Sequence, residues 1–136
     1  MRQRLGRARV ARLATVGATG IPHIVPITFV LDGDRIYFAV DSKPKRTTDL
    51  QRLRNIAANP SVAVLADHYD DDWTLLWWVR ADGEAAVLGA GEEAEHAVDL
   101  LAERYAQYRR ERPSGPVVAI SIHRMSGWAA ADNPAC

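Results

Sequence analysis

Lysine is scarce in this chain. Only Lys43 and Lys45 occur among seventeen cationic residues, and the rest are arginine. Cysteine is scarcer still. The one thiol, Cys136, stands at the last position, so no internal disulfide can form and a reducing, cytoplasmic setting is expected. No stretch approaches the roughly 20 apolar residues a membrane span needs, and the N-terminus has no signal-peptide apolar core. Net charge is zero across the 136 residues. That removes the surplus of positive charge a general nucleic-acid or acidic-membrane binder requires. Metal and triad signatures are missing too. No histidine or cysteine stands three or four positions from any of the four histidines, His23, His68, His96 and His123. No G-x-S-x-G elbow presents a nucleophilic serine.

What is present reads as one domain, residues 1–136, rich in short strands. Arg2, Arg4, Arg7, Arg9 and Arg12 recur at near-alternate spacing, as on the wet face of an entering strand. "ARVARLATV" alternates as a strand with one drier face, and "GATG" is a turn. "IPHIVPITFVL" then reads as a second strand, at a sheet edge or bulged, because Pro22 and Pro26 cannot donate ladder hydrogen bonds. "DGD" turns it into "RIYFAV". A short helix follows, with Leu50, Leu53 and Ile56 on one face and Thr47 or Thr48 as its cap. "SVAVLADHY" is a buried strand, "DDD" an acidic loop, and residues 73–88 a long strand or a hairpin bent near Asp82-Gly83. Residues 92–110 read as one amphipathic helix, "RPSGP" stops it, and "VVAISIHRMSGWA" is a last strand. Strand hairpins dominate, so the sheet is expected to be antiparallel and closed into a small barrel with helices outside.

Three stretches carry possible chemistry. "GAGEEA", residues 89–94, fits a dinucleotide-type G-x-G-x-x-A, but Glu92 and Glu93 stand where a pyrophosphate would bind. Turn glycines and helix-start glutamates account for it. "SKPKRTT" sets Lys43, Lys45 and Arg46 beside three hydroxyls, just before a helix start whose free N–H groups attract anions. It is either an anion site stiffened by Pro44 or a solvated turn. "DDDWTLLWWVRADG" holds Trp73, Trp77 and Trp78. Alternation puts Trp77 with Val79 on one face and Trp78 with Arg80 on the other, serving either a core or subunit interface or a flat heterocycle.

In combination, "ATV…G.PH.VP..F", "KPKR…L..L.NI..NP" and "DHYD.DW…WWVR" make residues 5–128 resemble the split β-barrel flavin and deazaflavin proteins of the pyridoxamine-5′-phosphate-oxidase-like superfamily. Within it the chain is most similar to the actinobacterial coenzyme F-420-dependent oxidoreductases of the B type. The resemblance implies a mainly β protein with helices, an antiparallel FMN-binding-like split barrel, and a homodimer with its cofactor at the subunit interface. It implies that Lys43, Lys45, Arg46 and Thr47 hold the cofactor phosphate and that Pro26, Ile27, Thr28 and Phe29 run beside its ring. Trp77, Trp78 and Arg80 would come from the other subunit, and Trp128 would close over the ring. The implied activity is hydride transfer between reduced F-420 and an unsaturated small-molecule acceptor, with Tyr37, His68 and Tyr69 as possible proton donors. An FMN-dependent enzyme, a non-catalytic carrier and a plain dimeric barrel are the rivals. The basic loop suits the extra anionic tail of the deazaflavin.

Overall fold

A computed structural model of the chain describes residues 1–40 and 50–130. Lys43, Lys45, Arg46 and Thr47 therefore lie outside the described residues.

Strand β1, Ala11–Val16, buries Ala11, Leu13 and Thr15 and turns Arg12, Ala14 and Val16 the other way. Strand β2, Pro22–Ile27, pairs antiparallel with it and forms a sheet edge, where Pro22 and Pro26 interrupt no interior ladder. Strands β3, Val30–Asp32, and β4, Arg35–Ala39, make a hairpin. Gly33 turns it with φ of 60°, a conformation that favours glycine. Strands β5, Ser61–His68, β6, Trp77–Leu88, and β7, Val117–Ala129, complete a seven-stranded antiparallel sheet in the order β2-β1-β5-β6-β7-β4-β3.

The two edges of that order, β2 and β3, follow each other in the chain with only Thr28 and Phe29 between them. The sheet must curl until its edges lie side by side, which makes a barrel split at that seam. Its inner face packs Leu13, Phe29, Ile36, Phe38, Val64, Val79, Val118 and Ile120, each at or near zero exposure. A register shift between Asp82 and Gly83 bends β6 around the core. A Cβ on Gly83 would collide with the carbonyl oxygen of Ser121, so only glycine fits the bend.

Several elements differ from the sequence expectation. Arg2, Arg4 and Arg7 lie on a short helix, α1, Arg2–Arg7, rather than on a strand. It is held by Leu5, which is fully buried, and by an Arg2–Asp34 ion pair. The strand expected over 21–31 is cut at Thr28–Phe29. Helix α2, Gln51–Ala58, has Leu50 at its N-cap position with no side-chain cap hydrogen bond, and Thr47 and Thr48, expected as its cap, lie outside the described residues. Trp73–Leu75 form a 3₁₀ turn instead of the start of β6.

The helix expected over 92–110 is two: α3, Glu92–Arg104, and α4, Ala106–Arg110. Between them Tyr105 is extended, with φ −121° and ψ 120°. Its hydroxyl accepts from the amide of Phe29 at 3.1 Å and lies 2.9 Å from the carbonyl of Arg9 and 3.0 Å from that of Phe29. The guanidinium of Arg104 donates to the carbonyls of Gly6 and Ala8. These contacts tie the helix break to the seam and to the segment entering β1. Helix α3 and the Tyr105 that follows it cover β3, β4 and β7, with Ala97, Leu101 and Tyr105 against Tyr37, Val117 and Ala119. Among the described residues no strand pair is parallel, and Glu93 at the start of α3 is engaged by Tyr37 and Arg35. The "GAGEEA" stretch is thus the N-terminal turn of α3.

Candidate functional site

The registers of five strands put one set of side chains on the outer face of the curl. Pro26, Arg12, Leu65, Arg80 and Ser126 stand in a row across β2, β1, β5, β6 and β7. Ile24, Ala14, Ala63 and Asp82 form the next row. Asp67, Trp78 and Trp128 form a third. Alternation along β6 already separates Trp78 and Arg80 from Trp77 and Val79. The pairing of β6 with β7 adds Trp128 directly opposite Trp78.

This face is apolar for an exterior. A groove of about 540 Å³ runs along it between Ile24, Leu65 and Trp78, with Arg12 and Arg80 at its sides. Ile24 is 65% exposed and Leu65 36% exposed. Arg80 is 3.1 Å from Asp82, and Arg12 is 3.7 Å from Asp67. Both pairs are open to water, so they order the arginines only weakly. Beside Arg80, the hydroxyl of Ser126 is buried and has no hydrogen-bond partner among the described residues. A buried hydroxyl left unmatched costs free energy, so this atom is suited to a polar group brought by a ligand.

At the end of β5 and β6 the face meets a second cavity of about 190 Å³, bounded by Asp67, His68, Tyr69, Trp77, Trp78 and Trp128. Trp77 belongs to the inner side, packs on the core, and has the Arg4 guanidinium 5.5 Å from its ring centroid. His68 stacks on it at 6.4 Å with an interplanar angle of 19°. Its Nε2 is 3.8 Å from the carboxylate of Asp70.

The remaining candidates are distributed as follows. Pro26 is exposed on the outer face. Ile27 and Phe29 point into the core. Thr28 is exposed and meets the Tyr108 hydroxyl at 3.0 Å, on the α4 side. Of the possible proton donors, His68 and Tyr69 border the small cavity, whereas Tyr37 is buried against α3 and donates to Glu93 at 2.8 Å. Burial, reinforced by the Glu93 carboxylate, pushes the Tyr37 phenol up to about 12. Among the described residues no group of His, Cys, Asp and Glu is placed to hold a metal.

Two polar residues on no sequence pattern carry a buried, unmatched polar atom among the described residues. Ser126 is one. Arg52, on α2, is the other: its Nε is buried without a hydrogen-bond partner among the described residues, and burial lowers its pKa, but it lines neither cavity. Arg52 sits just after the basic loop in sequence. Helix α2 is fixed to β1 by a buried bond in which Asn55 donates to Thr15 at 3.0 Å, while the exposed Gln51 donates to Asn55 at 2.7 Å.

The family model described as pyridoxamine 5′-phosphate oxidase matches residues 1–129. The chain belongs to the pyridoxamine 5′-phosphate oxidase family. A relative in this range is the 5a,11a-dehydrotetracycline/5a,11a-dehydrooxytetracycline reductase of Streptomyces rimosus, 31% identical over 93 residues. The match covers 66% of this chain and 64% of the reductase. Among solved structures, a FAD-binding protein of Mesorhizobium loti superposes with a TM-score of 0.70 at 21% identity, over 93% of this chain and 89% of the other. The heme storage protein HutZ of Vibrio cholerae superposes with a TM-score of 0.73 at 14% identity, over 94% of this chain and 90% of the other. These two likenesses are of fold. The split barrel expected from the sequence is the observed architecture of this family member.

Proposed function

We propose that this chain is a coenzyme F-420-dependent oxidoreductase that reduces an unsaturated small molecule, acting as a homodimer with the cofactor at the subunit interface. The observation that carries the reading is the outer face itself. An apolar groove with exposed Ile24 and Leu65 leads to the Trp78–Trp128 pair, beside Arg80 and the unmatched Ser126 hydroxyl. A planar ring with polar edges satisfies both halves of that surface. A second copy of the chain laid on the same face would remove the exposed apolar side chains from water. The reductase relative supports redox chemistry.

In this reading Trp78 and Trp128 flank the ring, Arg80 and Ser126 hydrogen-bond its polar edge, and Pro26 borders it from the seam. Trp77 supports Trp78 from the inner side. Ile27, Thr28 and Phe29 hold the shape of the seam. Lys43, Lys45, Arg46 and Thr47, with Arg52 following, take the phosphate and the acidic tail. The bound deazaflavin would supply a hydride, and FMN would supply related chemistry. The protein orients the acceptor, excludes water between apolar walls, and offers a proton from His68 or Tyr69 at the small cavity.

The test is steady-state oxidation of reduced F-420 by purified protein with enones and quinones as acceptors. Acceptor-dependent turnover with reduced F-420 and none with reduced FMN is expected. Turnover with FMN alone moves the assignment to a flavin enzyme. Tight binding of either cofactor without turnover on any acceptor makes the chain a carrier.

A further inference from the structure

The loop joining β5 to β6, residues 69–76, presents bulky side chains to water that no contact in the fold requires. Tyr69 is 66% exposed, Trp73 68% and Leu75 51%. Solvated aromatics of this size are unusual on a surface that has no ligand or partner for them.

The loop is nevertheless a built object. The Asp72 carboxylate accepts from the amide of Thr74 at 3.1 Å and from its hydroxyl at 2.7 Å. Asp70 accepts from the amide of Asp72 at 2.8 Å. The indole N–H of Trp73 points at the Tyr69 hydroxyl, 3.4 Å away. Ordered in advance, the two rings lose little conformational freedom on receiving a ligand. Tyr69 also borders the cavity that contains Trp78 and Trp128.

The charge around these rings is negative. Asp70, Asp71 and Asp72 precede Trp73, and Asp67 lines the adjoining cavity. Among the described residues, the basic side chains nearby include Arg4, stacked on Trp77, and Arg12, paired to Asp67, while the His68 ring lies beside Asp70. Asp71 has no ion-pair partner among the described residues. Aromatic faces attract cations for their own electrostatic reason, and the carboxylates add to it. Residues 43–46, with three cations, have the opposite sign, so an anionic cofactor tail and the occupant of this loop are sorted by charge.

We propose that residues 69–75 form a substrate shelf, on which Tyr69 and Trp73 take a planar ring compound that is cationic or uncharged, while the carboxylates turn anionic rings away. Calling the occupant a substrate rests on the function proposed above. The shelf as a ligand site does not.

The test uses two fluorescent three-ring probes of opposite charge, 9-aminoacridinium and anthracene-9-carboxylate, read by anisotropy with the full chain at low salt. The cation is expected to bind at least about tenfold more tightly, with the gap closing near 1 M salt, where screening acts within roughly 3 Å. Trp73→Ala is expected to weaken the cation about fivefold, the scale of an exposed cation–aromatic contact. Asp71→Asn narrows the preference for the cation. F-420 affinity stays within twofold in both variants. Equal binding of the two probes, or cation binding indifferent to Trp73→Ala, overturns the shelf. Charge-selective probe binding in a protein that ignores F-420 keeps the shelf and overturns the cofactor reading instead.

Discussion

Replacing Tyr105 by phenylalanine deletes one oxygen from a side chain that is 9% exposed. That oxygen accepts from the amide of Phe29 at 3.1 Å and from Nε of Arg104 at 3.2 Å. Its single proton serves the carbonyl of either Arg9 or Phe29. Phe29 is wholly buried, so its amide cannot turn to water when the partner is removed. An orphaned buried donor costs about 1–3 kcal/mol, and the lost bonds to Arg104 and one carbonyl bring the total to roughly 2–4 kcal/mol. For a chain of this size that is a fall in Tm of roughly 10 °C. Tyr108→Phe is the internal control. Its hydroxyl meets the exposed Thr28 hydroxyl at 3.0 Å, and water replaces that contact. It should cost about 0.5 kcal/mol or less. Chemical denaturation of both variants beside the parent decides the matter. A neutral Tyr105→Phe, or equal losses for the two variants, refutes the claim that this hydroxyl pins the barrel seam.

Gly83→Ala should abolish stable folding or cost several kcal/mol by thermal denaturation, because the new Cβ meets the Ser121 carbonyl in the middle of the sheet. Tyr37 gives a pH signature. Its folded pKa of about 12 lies above the ordinary phenol value of 10.0, so its contribution is complete below the lower value and is lost as pH rises through the upper one. Stability measured between those limits should fall more steeply in the parent than in Tyr37→Phe. Leu65→Arg on the outer face should leave circular dichroism unchanged and shift sedimentation from dimer to monomer. A parent protein that sediments as a monomer contradicts the interface reading.

Much of this architecture was legible in the chain because local and global preferences agree. Alternating residues set β1 and β5, the Asp-Gly turn set the β3–β4 hairpin, and the prolines marked β2 as an edge. Three features were not. The run from Ile21 to Leu31 has no turn residue at Thr28–Phe29. The interruption there accompanies a hydrogen bond from the Phe29 amide to the hydroxyl of Tyr105, 76 positions away. The helical spacing of 92–110 continues straight through Tyr105, whose hydroxyl is committed to the same seam. Six residues of α1 with one buried leucine are too few to show a period, so the alternating arginines suggested a strand. The site divides the same way. Alternation along β6 separates Trp78 and Arg80 from Trp77, whereas Trp128 and Ser126 join them only once β7 is known to lie beside β6. Ile27 and Phe29 look like ring neighbours in the motif, and the seam turns both side chains inward.

We propose an acidic-tailed deazaflavin as the cofactor, held by residues 43–46 and by the outer face. The most direct measurement is equilibrium binding of F-420 and FMN to the parent and to the double variant Lys45→Ala, Arg46→Ala. F-420 should bind more tightly than FMN. The double variant should lose several-fold to about a hundredfold in F-420 affinity, about 1–3 kcal/mol in all, since each charge-assisted contact contributes at most roughly 1.5–3 kcal/mol, with its melting temperature unmoved. Tighter FMN binding, or F-420 affinity unchanged in the double variant, contradicts the account.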